Sequence, residues 1–156
     1  MIGPINDWRK LEGKIQEHCK ARMARHAVFY HRLSDTRAAG NIIAAQPSDF
    51  LVLPQMGRTT FLEAKFSEVY ESLRSCFADA VDAQQLASAR LVVRAHREYL
   101  ILFYSGVSQR TELWPGIYCA ECRSQGKRLE LDKRIVVGPS LTEILDTHVL
   151  KLKKFL

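Results

Sequence analysis

Within PSDFLVLPQMGRTTFLEAKFS, residues 47 to 67, Asp49, Glu63 and Lys65 are the side chains able to do chemistry together. The stretch reads as two apolar strands, 49–54 and 59–65, joined by a turn at Gln55–Arg58. Ionised groups in such strands are costly to bury unless paired or ligated. Side chains alternate along a strand, so Phe61, Glu63 and Lys65 share one face, with Leu62 and Ala64 on the other. Asp49, Leu51 and Leu53 share a face of the first strand. A hairpin centred on Met56 sets Asp49 opposite Glu63, with Cβ atoms roughly 4.5–5.5 Å apart. Like charges at that separation repel unless a cation lies between them, and oxygen-only ligation suits Mg²⁺ or Mn²⁺. Lys65 points into the same place, where an ammonium can orient a water, stabilise a phosphate or neutralise the acids. A plainer reading stays open: a strand at the sheet edge whose acids face water and pair with Lys65.

A third acid comes from the preceding helix. Residues 7–25 carry Trp8, Leu11, Ile15, Cys19 and Met23 at helical spacing. With Trp8 at the origin, the apolar stripe spans about 300° through 0° to 60°. Glu12 falls at about 40°, inside the stripe, and Glu17 near 180°, on the opposite face. A carboxylate in a core-facing stripe needs a partner, and the Asp49–Glu63 cation supplies one. Asp35 in LSDT is another candidate ligand, although a turn-capping aspartate explains it better.

The elements that must position these groups follow from periodicity. A strand is expected over 27–33, then a polar connection and the hairpin just described. Helices are expected over 68–78 and 80–94, a buried strand over 98–104 and another strand near 111–119. The run CRSQGKRLELDKRIVV suggests a late hairpin turning at Gln125–Gly126. SLTEILDTHVLKLKKFL reads as a closing helix with Ser140 as N-cap and Glu143 three residues on. The order predicts one α/β domain, a mixed sheet flanked by helices.

Composition narrows the classes. The chain has 156 residues, 47% hydrophobic and 26% charged, as a single soluble domain would. Its net charge of +6 is compatible with a polyanionic partner without demanding one. No apolar run reaches membrane-spanning length and the N-terminus lacks a secretory signal, so a cytoplasmic protein is expected. Cys119 and Cys122 form a lone C-x-x-C without a second pair; His148 and the other cysteines could be recruited, but ordinary strand thiols are expected rather than zinc. The histidines show no H-E-x-x-H pairing, and there is no Gly-rich phosphate loop or G-x-S-x-G elbow.

The stretch PSDF through LEAK, with Asp49, Glu63 and Lys65, resembles the PD-(D/E)xK nuclease signature, whose fold is a restriction-endonuclease-like core. Within that superfamily, residues 8 to 105 look most like RecU-type Holliday junction resolvases. LEGKIQE resembles the first-helix motif and places the family's glutamate on Glu12. SDFLV and FLEAK resemble the core hairpin, and DAQQLASA resembles a later helix motif whose glutamine falls on Gln85, with Gln84 as the alternative. The C-terminal third carries no resemblance. RecU-type proteins insert a long stalk before the motif aspartate, whereas here only RLSDTRAAGNIIAAQPS separates His31 from Asp49. A short stalk leaves the nuclease chemistry intact but weakens the expectation of four-way-junction specificity.

The resemblance implies Mg²⁺- or Mn²⁺-dependent cutting of DNA by a homodimer acting in recombination or repair. Asp49, Glu63, Glu12 and the Ala64 carbonyl would hold the metal, with Lys65 and Gln85 completing the catalytic set. Arg9, Lys10 and Lys14 around Glu12, Arg32 and Arg37 before the site, and Arg58 at the turn would grip the DNA backbone. Lys127, Arg128, Lys133 and Arg134 form a candidate second patch, beside which Trp114 and Tyr118 either stack on bases or pack in the core. Two other functions fit the residues: a nuclease of the same fold for flaps, ends or restriction-type sites, and a catalytically silent nucleic-acid-binding module.

Overall fold

The computed structural model describes residues 4–33 and 48–153. Helix α1, Trp8–Met23, starts where the Asp7 carboxylate accepts the Lys10 N–H at 2.8 Å. Leu11, Ile15 and Cys19 bury its inner stripe, while Trp8 and Met23 at the two ends stay substantially exposed. Strands β1 (Phe29–Arg32), β2 (Phe50–Leu53) and β3 (Thr60–Ser67) form an antiparallel meander. Helices α2 (Leu73–Ala80) and α3 (Ala83–Arg94) then cross over to β4 (Glu98–Ser105), which runs parallel to β3. Strands β5 (Thr111–Pro115) and β6 (Val136–Gly138) add antiparallel, giving a six-stranded mixed sheet in the order β1 to β6. The expected α/β class holds.

Alternation along the strands builds two cores. Phe50, Val52, Leu62, Ala64, Leu100 and Leu102 face α1 and the C-terminal helical segment. Ile101, Phe103 and Trp114 face α2, α3 and helix α4 (Gly116–Gln125), with Phe61 packing at the margin. Both faces of β4 are therefore covered, and Tyr99 to Ser105 are all buried.

Several boundaries differ from the sequence expectation. The strand near 111–119 ends at Pro115, and the late hairpin at Gln125–Gly126 is instead the C-terminus of α4. Gly126 closes that helix in the left-handed conformation at φ 64°. The buried face of α4 is made by small residues, Gly116, Cys119, Ala120 and Cys122, which carry little hydrophobic periodicity. All four cysteines are buried free thiols on helices, Cys19 on α1, Cys76 on α2 and the C-x-x-C on α4, so none is a strand thiol.

The helix expected over 68–78 begins only at Leu73. The Ser67 hydroxyl first accepts the Val69 and Tyr70 N–H groups, holding a turn there. Glu112 on β5 then accepts from the Ser72 hydroxyl and the Leu73 N–H, anchoring the start of α2. That buried acid also binds Trp114 Nε1 and, at 2.7 Å, Arg134. Arg134 thus serves the interior rather than a surface patch, and Trp114, fully buried, packs in the core.

Ser140 caps the last helix by accepting the Glu143 N–H, as expected. The helix itself is short: α5 (Leu141–Ile144) passes into a π-type turn, Leu145–Val149. Beyond it the Leu150 carbonyl accepts the Gln55 N–H, which ties the β2–β3 turn to the C-terminal segment.

Candidate active site

The site lies where β2 begins beside the middle of β3. The β2–β3 ladder pairs Phe50 with Leu62 and Val52 with Thr60, a hairpin centred on Met56 as the sequence predicts. The pairing stops one residue short of Asp49, so the expected strand pair of Asp49 with Glu63 does not form. Asp49 sits in a bend, and its Oδ2 accepts the Ala64 N–H at 2.8 Å, the next donor along β3. A side chain thus replaces the backbone acceptor that a longer β2 would have supplied.

Glu63 is 4% exposed at the centre of β3. Its Oε1 accepts from Gln85 Nε2 at 2.6 Å and lies 3.1 Å from Lys65 Nζ. Burial pushes the Glu63 carboxyl above the usual range and the Asp49 charge pushes it further, with Lys65 pulling the other way. The solvated edge-strand alternative fails for Glu63, because this acid is inside.

Gln85 stands at the third position of α3. Its backbone N–H donates to Asp82, its Oε1 accepts the Asp82 N–H, and this reciprocal capping box leaves the amide Nε2 for Glu63. Gln84 is exposed and makes no such contact. Between the two glutamines offered by sequence, the structure brings Gln85 to the acids.

Glu12 is buried at 7% exposure, as its place on the helical stripe predicts, and Glu17 is exposed. Burial first, and then the charge of Asp49, raise the Glu12 carboxyl to about 7, against the opposing pull of Arg32. Arg32 reaches back from β1 to Glu12 Oε1 at 3.1 Å and to Gln16 Oε1 at 3.0 Å. Buried Tyr99 on β4 completes the surroundings, its hydroxyl pushed up by burial and by the charges of Glu63, Asp49 and Asp82.

Glu12, Asp49 and Glu63 therefore share one field without forming a finished cage. Among the described residues no three His, Cys, Asp or Glu side chains converge as a ready metal-holding group. The local contacts account for this: Arg32 turns Glu12, the Ala64 N–H holds Asp49, and Lys65 with Gln85 holds Glu63. The donors are nonetheless carboxylate oxygens, two of the three acids being raised first by burial and then by the Asp49 charge, and oxygen donors of this kind suit a hard divalent cation.

The basic residues expected on DNA divide by position. Arg32 is at the site. Arg9 lies over the Trp8 ring, 5.2 Å from its centroid, and Lys10 is in the first turn of the same helix. Lys14 lines a separate concavity of about 720 Å³ with His18, Tyr104 and Leu141, which none of the three acids lines. Arg58 is exposed in the hairpin turn, two residues before β3 begins. Arg37 and Asp35 fall outside the described residues.

Sequence reasoning missed Asp82, Tyr99 and Gln16, and took Arg32 only for a DNA contact. Two of these had signals: D-A-Q-Q is a capping-box pattern, and Gln16 stands one turn beyond Glu12. No family model matches the chain, and no curated protein matches it.

Proposed function

We propose that the protein is a metal-dependent DNA endonuclease of the PD-(D/E)xK type. The observation that carries this reading is the buried Glu63, placed between Lys65 and Gln85 and within the field of Asp49 and Glu12. A purely structural acid in mid-sheet gains nothing from two further carboxylates that push its proton affinity up. The element order also supports the reading: a helix bearing an acid, a hairpin bearing D and E-x-K, then a helix bearing glutamine.

Asp49, Glu63 and Glu12, with the Ala64 carbonyl, are the groups to hold Mg²⁺ or Mn²⁺. When bound, the ion polarises the scissile phosphate and acidifies a water. Lys65 orients that water or offsets charge on the phosphate oxygens. Gln85 keeps Glu63 in one rotamer, a positioning role. Arg32 is the basic side chain best placed to meet a backbone phosphate near the acids.

Branched DNA is the substrate favoured by the RecU-type resemblance, and symmetric cutting of a junction calls for a homodimer. The short segment between His31 and Asp49 favours a second reading, a nuclease of the same kind acting on flaps, ends or linear duplex. Labelled four-way junction, flap and linear duplex, each with Mg²⁺ or EDTA, separate them. Paired nicks near the branch point support the resolvase, and equal cutting of linear DNA supports the second reading. Binding without cutting on every substrate overturns the nuclease and leaves a silent binding module. No helix among the described residues is long and apolar enough to cross a membrane.

A further inference from the structure

Resting on that reading, we propose that Arg32 is a stand-in cation: it neutralises Glu12 in the metal-free protein and is displaced from it when a divalent ion enters. The contacts set up such an exchange. Arg32 Nη2 lies 3.1 Å from Glu12 Oε1 while Nη1 takes Gln16 Oε1 at 3.0 Å, so one guanidinium bridges two residues a helical turn apart. Glu12 is held by the arginine alone among its described ion-pair partners, and its side chain is 10% exposed against 43% for Arg32. The acid is thus fixed in the interior, and the base sits where it can leave.

The geometry of the other acids gives the displacement a direction. Lys65, on Glu63, is 19% exposed and lies on the same strand as its partner. Arg32 comes from a different strand and closes the contact between α1 and β1. Of the two cations, it is the one whose departure frees a carboxylate without unpairing a neighbour on its own strand. Once released, a planar guanidinium at the mouth of the site matches a phosphate oxygen pair. Metal entry and the exposure of a phosphate-binding arginine then become one event. Gln16 keeps the arginine within reach for the return.

The test is metal binding rather than cutting. Isothermal titration with Mn²⁺ is run on the wild type, Arg32→Met, Glu12→Gln, the double variant and Glu63→Gln, each checked for folding by circular dichroism. Competition predicts that Arg32→Met binds Mn²⁺ about threefold to tenfold more tightly than the wild type, the range expected for removing an ion pair whose base is exposed. In the Glu12→Gln background the same change should have no effect. Should Arg32→Met misfold, Arg32→Gln takes its place with the same expectation. Unchanged or weaker binding in the arginine variant, with the wild type still binding through Glu63, overturns the stand-in role and leaves the nuclease reading in place. Wild-type binding that is absent, or indifferent to Glu63→Gln, overturns the metal site itself.

Discussion

The Gln85 side chain donates to Glu63 Oε1 at 2.6 Å while its own oxygen accepts the Asp82 N–H at 3.2 Å. One amide therefore caps α3 and restrains the central acid of the site. The capping bond fixes which end of the amide faces inward, since the oxygen is already engaged. Glu63 consequently meets a donor and never an acceptor.

Replacing Gln85 with glutamate separates the two duties. A glutamate at this position keeps the capping box but turns an acceptor toward Glu63. DNA cutting should fall at least tenfold, and stability at neutral pH should drop by about 1–2 kcal/mol, the cost of removing a donor from a buried acceptor. Gln84→Glu, on the exposed side of the helix, should change neither. Nicking rates and urea melts of both variants decide it; loss of activity in the Gln84 variant alone would mean that the wrong glutamine was chosen.

Asp49 also has a structural bond to keep apart from its chemistry. Asparagine can still accept the Ala64 N–H through its oxygen, so Asp49→Asn should fold with undiminished stability and lose cutting. Alanine leaves that N–H without its acceptor and should cost about 1 kcal/mol besides. Thermal melts beside a cleavage assay check both, and an active asparagine variant would remove Asp49 from the site.

Stability should depend on pH in a direction unusual for carboxylates. Burial and the Asp49 charge raise Glu12 from 4.5 to about 7, and Glu63 shifts the same way. Between about pH 4.5 and 7 the folded protein therefore binds more protons than the unfolded chain, so this contribution falls as pH rises. The loss is on the order of 1–3 kcal/mol in the metal-free protein. Asp146 works the opposite way. Burial opposes its ionisation, but hydrogen bonds from Arg22 and His18 outweigh that and hold its carboxyl below 3.8, so its stabilisation disappears only in stronger acid. Melting in EDTA from pH 4 to 8 should peak in the acid half of the range and shift upward in Mn²⁺ at neutral pH. A flat or rising EDTA profile would contradict the buried-acid account.

Gly116 offers a test of the layer beneath the site. A Cβ there would stand 2.5 Å from Tyr99 Cδ1 and 2.9 Å from the Tyr99 carbonyl oxygen. Both are too close, and the carbonyl cannot move without disturbing β4. Gly116→Ala should destabilise the protein by about 1–3 kcal/mol, as overpacking of a filled core does. Gly126→Ala meets no atoms but holds a left-handed helix end, so it should cost only about 1 kcal/mol. Denaturant midpoints of the two variants give the comparison.

Much of the candidate site is written locally. Strand alternation puts Glu63 and Lys65 on one face and Leu62 and Ala64 on the other, and helical periodicity alone puts Glu12 inside and Glu17 outside. Both arise from covalent geometry repeating over a few residues, which a sequence displays directly. What failed was where the signal is carried by small or polar residues. The buried face of α4 is glycine, alanine and cysteine, so its period is faint, and α2 starts late because Glu112, 39 residues away, supplies the bond at its first turn.

By itself the sequence determined the alternation that puts Glu63 and Lys65 on one face, the stripe that buries Glu12 and the centre of the hairpin. Tertiary structure alone decided that Asp49 ends up on the Ala64 N–H, that Arg32 finds Glu12 and that Gln85 rather than Gln84 meets Glu63. The difference is physical: the first set depends on repeats within one element, whereas the second depends on packing two cores on opposite faces of one sheet, which brings together groups separated by 15 to 22 residues.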